Sequence, residues 1–522
     1  MVAALRESIG AGSAPVRLLE THISYVLLTG DRAYKVKKAV NPGFLDFTTL
    51  ERRKFYCDEE LRLNRALAPS LYLGVVTITG TADHPRIGGD GPVLDYAVEM
   101  REFSQDSLAS TMLARGALTR DHIDRLADRI ADFHAATARA DAGDATAFAD
   151  ETLAHALANF RQIRSLGSDA EPLARMEKLE QWTRSEYARR RDAIQSRRRD
   201  GFVRECHGDL HLANVAVIGG EVTLFDCLEF DAHLRWIDVT SEVAFTTMDL
   251  QRRGRADLAR RFLNRYYERT GDYPGLVTLR FHLVYRAMVR AKVAALRASS
   301  LAAGGERASA MRECDEYLRL ATDYVGVHPS AVVITHGLAG CGKTTLSQAL
   351  LERMDALRLR SDVERKRLAG LAAEARSHSA ITGGLYASDM TRATYDALAR
   401  YARFILAAGF VALIDATSLS RWQRRVFAEV AAELAVPFVI IDISARESTL
   451  RERLHARALA GKDASEADSA VLDHQLRTRE PLADEERRSA IVHDGEAPLD
   501  AAAAQSLAAR VIERIRQAEG AA

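Results

Sequence analysis

Residues 337–344 read GLAGCGKT and fit the pattern G-x-x-x-x-G-K-[ST]. The apolar run Val332-Val-Ile334 comes directly before this segment, and a helical pattern, KTTLSQALLERM, follows from its lysine. Glycines between a strand and a helix let backbone N–H groups surround a phosphate chain at the helix N-terminus. The context therefore favours a phosphate-binding loop over an incidental glycine-rich turn.

The loop and the start of its helix supply the nucleotide-binding candidates: Gly337, Gly340, Gly342, Lys343, Thr344 and Thr345. We expect Lys343 to reach the β- and γ-phosphates of ATP. The Thr344 hydroxyl is expected to be a Mg²⁺ ligand.

Strand and helix patterns alternate on the carboxyl-terminal side of this loop. The runs AVVITHG, VALIDAT and FVIIDIS read as buried strands, and the alanine-rich segment 499–508 reads as a helix. Such alternation predicts a parallel α/β sheet of the P-loop NTPase type over residues 331–522. The boundary is placed at the Gly- and Pro-containing segment 326–330.

Two acidic residues in this region are candidates for chemistry. Asp415 ends the apolar run 411–414, at the carboxyl end of a parallel strand, where ligands bind in open α/β sheets. A metal-binding or substrate-binding role follows for it. Asp362, in RSDVERKRL, comes after a second predicted strand and is placed to accept a proton from a substrate hydroxyl. For both residues, a helix cap or a solvated acid is the alternative.

Three arginines, Arg451, Arg453 and Arg457, occur in the helical segment STLRERLHARA. Arg453 and Arg457 are one turn apart on one helical face and can clamp a transferring phosphate. A solvated, salt-bridged helix face is the alternative.

The strings GLAGCGKTT, RSDVERKRL and LIDAT resemble the small P-loop kinases related to polynucleotide kinase, gluconate kinase and zeta toxins. The resemblance implies that Asp362 contacts the hydroxyl acceptor and that Arg453 and Arg457 stabilise the γ-phosphate. No GTPase base-recognition string is apparent, which favours a kinase.

A second motif, HGDLHLAN at 207–214, precedes a predicted hairpin around Gly219-Gly220 that Asp226 closes. Its Asp209 and Asn214 lie five residues apart. In kinase catalysis, a loop Asp deprotonates the substrate hydroxyl, while an Asn and a later Asp hold Mg²⁺. We assign the first role to Asp209 and the metal-binding roles to Asn214 and Asp226. A helix-capping Asp and a structural Asn are the alternative. His207 is interpreted as a buttress of the loop.

Residues 25–100 read as short strands with one amphipathic helix at 50–67. Lys35 and Lys37 project from one face of a strand that follows the Thr29-Gly30-Asp31 turn. One of them is expected to meet the α/β-phosphates of ATP. Lys35 is favoured, with Glu60 on the helix as its ion-pair partner. Solvated lysines and a surface glutamate are the alternatives.

The strings HGDLHLANV and LFDCLEF resemble the aminoglycoside phosphotransferase and choline kinase family. The order of motifs along nearly the whole chain resembles bacterial bifunctional aminoglycoside phosphotransferase/ATP-binding proteins. This resemblance implies a bilobal protein-kinase-like fold over residues 1–326, with a small lobe at about 1–100 and a helical lobe at about 101–326. It also implies a structural role for Asp238. It does not identify an antibiotic as the substrate.

The length of 522 residues predicts two or three domains, and the composition is typical of globular ones. Lys+Arg and Asp+Glu both total 72, which counts against a nucleic-acid-binding role. The five cysteines are scattered without a CxxC pair, and neither a signal peptide nor a transmembrane segment is apparent. These observations favour a cytoplasmic protein. The basic runs 189–191 and 197–199 are interpreted as a solvated helix face.

The leading hypothesis is an ATP- and Mg²⁺-dependent kinase with two nucleotide sites, each transferring the γ-phosphoryl group to a hydroxyl of a small molecule. In the alternatives, one half is a nucleotide-sensing regulatory module, or the P-loop half is an ATPase without an acceptor. The identity of the acceptors and the oligomeric state stay open.

Overall fold

A computed structural model describes every residue except 11–15, 42, 44, 167–169, 374, 376–386, 461–464, 466 and 520–522. Its contacts divide the chain into two units. The first contains residues 1–155 and 194–250, and the second contains 156–193 and 251–522. These units are defined by contacts within the chain, whereas the domain boundary near residues 326–331 was predicted from the sequence and stays a prediction.

The first unit contains a six-stranded antiparallel sheet. Its strands are β1 (Arg17–Glu20), β2 (Ser24–Leu28), β3 (Arg32–Lys37), β4 (Tyr72–Thr81), β5 (His84–Ile87) and β6 (Val93–Arg101). They are arranged in the order β1-β2-β3-β6-β4-β5. The helices that begin in this unit are α1 (Val2–Gly10), α2 (Leu50–Leu67), α3 (Ala109–Ala114), α4 (Arg120–Ala136), α5 (Ala145–Ser165) and α7 (Val239–Arg252).

The register of β3 explains how its lysines reach the interior. The predicted turn is confirmed: the Thr29 N–H donates to the Arg32 carbonyl at 2.9 Å, and Gly30 has φ 105°. Lys35 lies opposite Val98 of β6, which belongs to the apolar cluster with Cys57 of α2. Successive residues of a strand point to opposite faces, so alternate residues share a face, and Lys35 and Lys37 both face α2.

Two small antiparallel sheets of two strands each surround the HGDLHLAN segment. β8 (Val215–Ile218) pairs with β9 (Glu221–Leu224), as predicted, and β7 (Val203–Glu205) pairs with β10 (Trp236–Asp238). Within the predicted helical lobe, Trp236 lies in a strand, and α7 (Val239–Arg252) begins only after β10. Three residues are too few for their period to separate strand from helix.

Arg197 departs from the predicted solvated face. It is near the end of α6 (Ala170–Arg199), is only 4% exposed, and donates to both Asp238 oxygens, at 2.5 and 2.8 Å. Its guanidinium also lies over the Phe202 ring, 4.3 Å from the centroid. Asp238 therefore makes a structural contact, as the resemblance implied. Its partner is Arg197, which belongs to the basic run 197–199 that the sequence analysis interpreted as solvated.

The second unit contains a five-stranded parallel sheet. Its strands are β11 (Val332–His336), β12 (Ala356–Arg360), β13 (Val411–Asp415), β14 (Phe438–Ser444) and β15 (Ala490–Asp494), in the order β12-β13-β11-β14-β15. The helices are α8 (Ala256–Thr270), α9 (Leu276–Ser300), α10 (Gly305–Val325), α11 (Lys343–Leu351), α12 (Ser361–Leu368), α13 (Ser388–Ala407), α14 (Arg421–Glu433), α15 (Glu447–Ala460), α16 (Ser469–Thr478), α17 (Asp484–Arg488) and α18 (Ala501–Glu519). The carboxyl ends of β11, β12 and β13 carry the predicted site residues.

Helix α8 covers the edge of this sheet at β12. Asn264 donates from Nδ2 to the Ala356 carbonyl at 3.0 Å and accepts from the Arg358 N–H at 2.7 Å. One side-chain amide thus makes the two bonds that a neighbouring strand would make. A strand edge covered in this way cannot pair with another chain.

We expect Asn264→Ala to raise the hydrogen-exchange rate of the Arg358 amide about tenfold, equivalent to a hydrogen bond worth ~1.4 kcal/mol. Exchange measured on the full chain tests this. Thr270→Ala, which removes a bond within the same helix, is the control and should leave that amide unchanged. An unaltered exchange rate in Asn264→Ala would contradict the edge-covering role.

All five cysteines, Cys57, Cys206, Cys227, Cys314 and Cys341, are buried and free. Among the described residues, no helix combines the length and the apolar character needed to cross a bilayer.

Candidate active sites

A cluster of buried charges marks the first site. Lys35 Nζ lies 2.8 Å from Glu60 Oε1 and 2.5 Å from Asp226 Oδ1. Lys37 Nζ lies 2.7 Å from Glu60 Oε2 and also contacts Glu229. The structure thus brings Lys35, Glu60 and Asp226 into direct contact. Glu60 binds both lysines, whereas only Lys35 contacts Asp226.

The charges in this cluster stabilise one another against burial. Burial alone would lower the pKa of Lys35, but the carboxylates of Asp226 and Glu60 outweigh it and raise that pKa well above its ordinary value. Burial would raise the pKa of Glu60, yet the two lysines lower it to about 2. Both partners are therefore ionised at neutral pH.

The backbone at Asp226 is in the left-handed region, with φ 62°. Its N–H donates to the Tyr72 hydroxyl at 3.1 Å, and the next N–H, that of Cys227, donates to Asn64 Oδ1 at 2.9 Å. These contacts hold an Asp in a conformation that most residues avoid. Its side chain, 42% exposed, is available to a ligand.

The HGDLHLAN loop brings Asp209 and Asn214 together. Asn214 Nδ2 donates to the Asp209 carbonyl at 2.9 Å and to Asp209 Oδ2 at 3.2 Å. The Asn214 carbonyl accepts from the Phe225 N–H at 3.1 Å, which ties the loop to the residue before Asp226. The Asp209 carboxylate is 40% exposed, so an acceptor can approach it.

Buried polar groups brace this loop from behind. His207 contacts the Phe225 carbonyl through Nε2 at 2.8 Å, as expected of a buttress. Glu242 of α7 accepts the N–H groups of His207 and Gly208 at 3.1 and 2.8 Å, and contacts His134 at 3.0 Å. His134, Cys206 and Glu242 could group around a metal, but Glu242 is engaged by the loop. We interpret the cluster as a structural brace.

The GLAGCGKT loop forms the second site between β11 and α11. A Cβ added at Gly337 would lie 2.5 Å from the Ile443 carbonyl oxygen, and one at Gly340 would lie 2.9 Å from that of Leu450. Only glycine fits such approaches, particularly with φ of 150° and 84°. The tight loop leads through Gly342, with φ 99°, into the N-terminus of α11.

Lys343 is folded back over the loop. Its Nζ donates to the carbonyls of Gly337 and Leu338 at 3.0 and 2.8 Å. Gln475 of α16 accepts from the Ala339 N–H at 2.8 Å and so fixes the loop from outside. A lysine held by loop carbonyls lies next to the amides that would receive phosphate.

Asp415 lies at the carboxyl end of β13, beside the helix that begins with Lys343 and Thr344. Its Oδ2 accepts from the Ser347 hydroxyl at 3.2 Å and lies 3.8 Å from Arg360 Nε. A buried carboxylate next to the Thr344 helix turn is a suitable oxygen donor for Mg²⁺.

Asp362 is the second residue of α12 and contacts Arg365 at 3.2 Å. Burial opposes its ionisation, but the guanidinium groups of Arg365 and Arg360 outweigh burial and lower the pKa of Asp362 below its ordinary value. The carboxylate is therefore charged at neutral pH and can accept a proton.

The three arginines of α15 differ in their contacts. Arg451 pairs with Glu447 and Asp473, at 2.7 and 2.5 Å, and belongs to a salt-bridged helix face. Arg453 reaches toward the Gly340 carbonyl at 3.4 Å, and Arg457 donates to the Ala467 carbonyl at 2.7 Å. Of the three, Arg453 contacts the loop, and both Arg453 and Arg457 line the cavity beside it.

A single cavity of about 690 Å³ unites these groups. Its lining includes nine of the residues proposed from the sequence: Gly340, Gly342, Lys343, Thr344, Thr345, Asp362, Asp415, Arg453 and Arg457. It also includes Arg365 and Gln475, which the sequence did not single out. Arg365 lies one helical turn after Asp362, and this spacing could have indicated that the two residues contact each other. No pattern in the sequence indicates that Gln475 lies at the site.

Two family models match the chain in succession. The phosphotransferase enzyme family matches residues 56–276, and a family described as an AAA domain matches residues 332–482. An uncharacterized protein of Mycobacterium tuberculosis and another of Mycobacterium bovis are each 30% identical over 453 residues, covering 87% of this chain and 88% of theirs. The chain belongs to their family. It joins a phosphotransferase domain to a P-loop kinase-like domain, as the motif order predicted, and is an enzyme of the kinase type.

Solved structures show weaker likeness to this family member. An ethanolamine kinase of Plasmodium vivax is 7% identical, with 60% of this chain and 82% of that chain covered and a TM-score of 0.37. A gluconokinase of Sinorhizobium meliloti is 21% identical, with 37% and 98% covered and a TM-score of 0.27. Likenesses at this level do not indicate a substrate.

Proposed function

We propose that the chain is an ATP-dependent kinase with two active sites, each of which transfers the γ-phosphoryl group to a hydroxyl of a small molecule. The phosphotransferase domain carries one site around Asp209, and the P-loop domain carries the other around Lys343.

At the first site, Asp209 is the base. Asn214 donates to its carboxylate and fixes its direction, and the exposed oxygen accepts the proton of the acceptor hydroxyl. The hydroxyl oxygen forms a bond to the γ-phosphorus as the bond to the β,γ-bridging oxygen breaks, and ADP leaves. Lys35, fixed by Glu60, is placed to orient the α/β-phosphates.

At the P-loop site, Asp362 accepts the proton of the acceptor hydroxyl. Lys343 exchanges its bonds to loop carbonyls for bonds to phosphate oxygens, and Arg453 and Arg457 stabilise charge on the transferring group. The observation that carries the proposal is the common cavity, in which an ionised Asp362 shares the space with Lys343 and Asp415.

The donor sets at both sites fit Mg²⁺. Asn214 and Asp226 would hold it in the first site, and Thr344 and Asp415 would hold it in the second, all through oxygen atoms. When bound, Mg²⁺ neutralises charge on the phosphates.

The test is a screen of a bacterial metabolite extract by mass spectrometry with ATP. We expect Asp226→Asn to abolish one set of phosphorylated products and Lys343→Ala to abolish another. Asparagine tolerates the left-handed backbone at 226, so the first variant removes a charge without altering the loop. Each variant is the control for the other.

A product lost in one variant assigns a reaction to that site. Nucleotide binding without any product in all three proteins would contradict the two-kinase proposal and favour a regulatory module. ATP hydrolysis without a product, lost only in Lys343→Ala, would make the P-loop domain an ATPase.

A further inference from the structure

Glu268, near the end of α8, is 7% exposed and binds two arginines of β12. Its Oε2 lies 3.2 Å from Arg358 Nη2, and its Oε1 lies 3.6 Å from Arg360 Nη1. The residue comes 75 positions before Lys343 in the sequence and lies inside the segment that matches the phosphotransferase enzyme family. In space it belongs to the unit of the P-loop sheet.

Each of these arginines also lies near a residue proposed to bind Mg²⁺. Arg360 Nε lies 3.8 Å from Asp415 Oδ2. Arg358 Nη1 donates to the Thr344 carbonyl and to the Ser347 hydroxyl, both at 3.4 Å, and Ser347 in turn donates to Asp415. One carboxylate therefore supports the surroundings of both Thr344 and Asp415.

The arrangement has a consequence for charge. A guanidinium beside Asp415 competes with a cation for that carboxylate, since both are attracted to the same oxygens. Glu268 attracts Arg360 through another nitrogen of its guanidinium, Nη1, and neutralises part of its charge. Without Glu268, Arg360 would pair more closely with Asp415, and the carboxylate would be less available to Mg²⁺.

We infer that Glu268 is a positioning residue of the P-loop site, which holds Arg358 and Arg360 so that Asp415 stays available to a divalent cation. The inference rests on the proposed binding of nucleotide and Mg²⁺ at that site. It extends the functional part of the P-loop domain to α8, a helix whose sequence carries none of the P-loop motifs.

The experiment is Mg²⁺-dependent ADP binding by the full chain, measured by isothermal titration calorimetry. The binding component lost in Lys343→Ala belongs to the P-loop site. For that component, Glu268→Gln is expected to raise the half-saturating Mg²⁺ concentration about tenfold, from the loss of one nearby charge. ADP affinity without Mg²⁺ should stay the same or rise, because the site has become more positive.

A second pair of variants tests the route through Arg360. Arg360→Gln alone should lower the half-saturating Mg²⁺ concentration, and Glu268→Gln combined with Arg360→Gln should return it to near the wild-type value. Glu313→Gln, which removes a carboxylate that pairs with Arg297 on another helix, is the control and should change neither quantity. Arg360→Gln also stays informative if Glu268→Gln does not fold.

Three results would overturn the inference. They are unchanged Mg²⁺ dependence in Glu268→Gln, an equal loss of ADP binding with and without Mg²⁺, and a double variant as impaired as Glu268→Gln. Failure of the proposed function is distinguishable, because Lys343→Ala would then remove no component of nucleotide binding.

Discussion

Asp209→Asn is expected to lower kcat for the reaction of the first site by about 10²–10⁴-fold, the usual contribution of a general base. Asparagine has the shape of aspartate and keeps an oxygen for the Asn214 amide, but it cannot accept the hydroxyl proton. ATP binding should be unchanged, because Lys35, Glu60 and Asp226 are untouched. Steady-state rates with an acceptor from the metabolite screen, together with ATP affinity, check this.

His211→Asn is the matched control for Asp209→Asn. His211 lies 3.4 Å from Asp209 in the same loop, so its replacement removes a neighbour of the base and leaves the base itself in place. We expect a much smaller loss of kcat. A rate for Asp209→Asn close to that of the wild type would show that another group accepts the proton.

Glu60→Ala is expected to destabilise the phosphotransferase domain by about 3–5 kcal/mol, the usual cost of removing one partner of a buried ion pair. Lys35 and Lys37 would each lose the carboxylate that they share. Denaturant unfolding followed by hydrogen exchange in β3 separates this domain from the rest of the chain. Asp58→Ala, on the same helix but half-exposed and paired with the exposed Lys54, should cost far less.

The buried contact of Glu60 with Lys35 and Lys37 makes the stability of this domain depend on pH. The folded-state pKa of Glu60 is lowered from 4.5 to about 2, so its contribution to the free energy of unfolding is fully present above about pH 4.5. The contribution is lost as the pH falls toward 2. The difference in free energy of unfolding between the wild type and Glu60→Ala should therefore shrink as the pH falls toward 2. A difference that stays constant over that pH range would contradict the buried pairing.

The sequence predicted what lies close together along the chain. The GLAGCGKT loop, the Asp209–Asn214 spacing and the hairpin before Asp226 are each local, so the residues that act together are near neighbours in sequence. The choice between Lys35 and Lys37 was harder, because both lie on one face and share Glu60. The contact with Asp226 distinguishes them.

What the sequence did not predict depends on long-range packing. Glu229 binds Lys37 across 192 positions, and Gln475 holds the Ala339 amide across 136. No spacing rule connects such residues. Arg197 was misinterpreted because a run of arginines looks solvated, whatever its individual members contact. Asn264 and Glu268 lie on a helix whose apolar pattern gives no indication of the sheet it covers.

All five native cysteines are buried, so the wild-type chain is expected to react slowly with thiol-directed labels. Maleimides and disulfide reagents attack the thiolate, and burial raises the pKa of Cys57 to about 12 and that of Cys314 to about 11. A single cysteine introduced on an exposed turn, at Asp83 for instance, therefore stands out chemically from the native thiols. Fluorophores or spin probes can be attached to either domain without first removing a native sulfur atom.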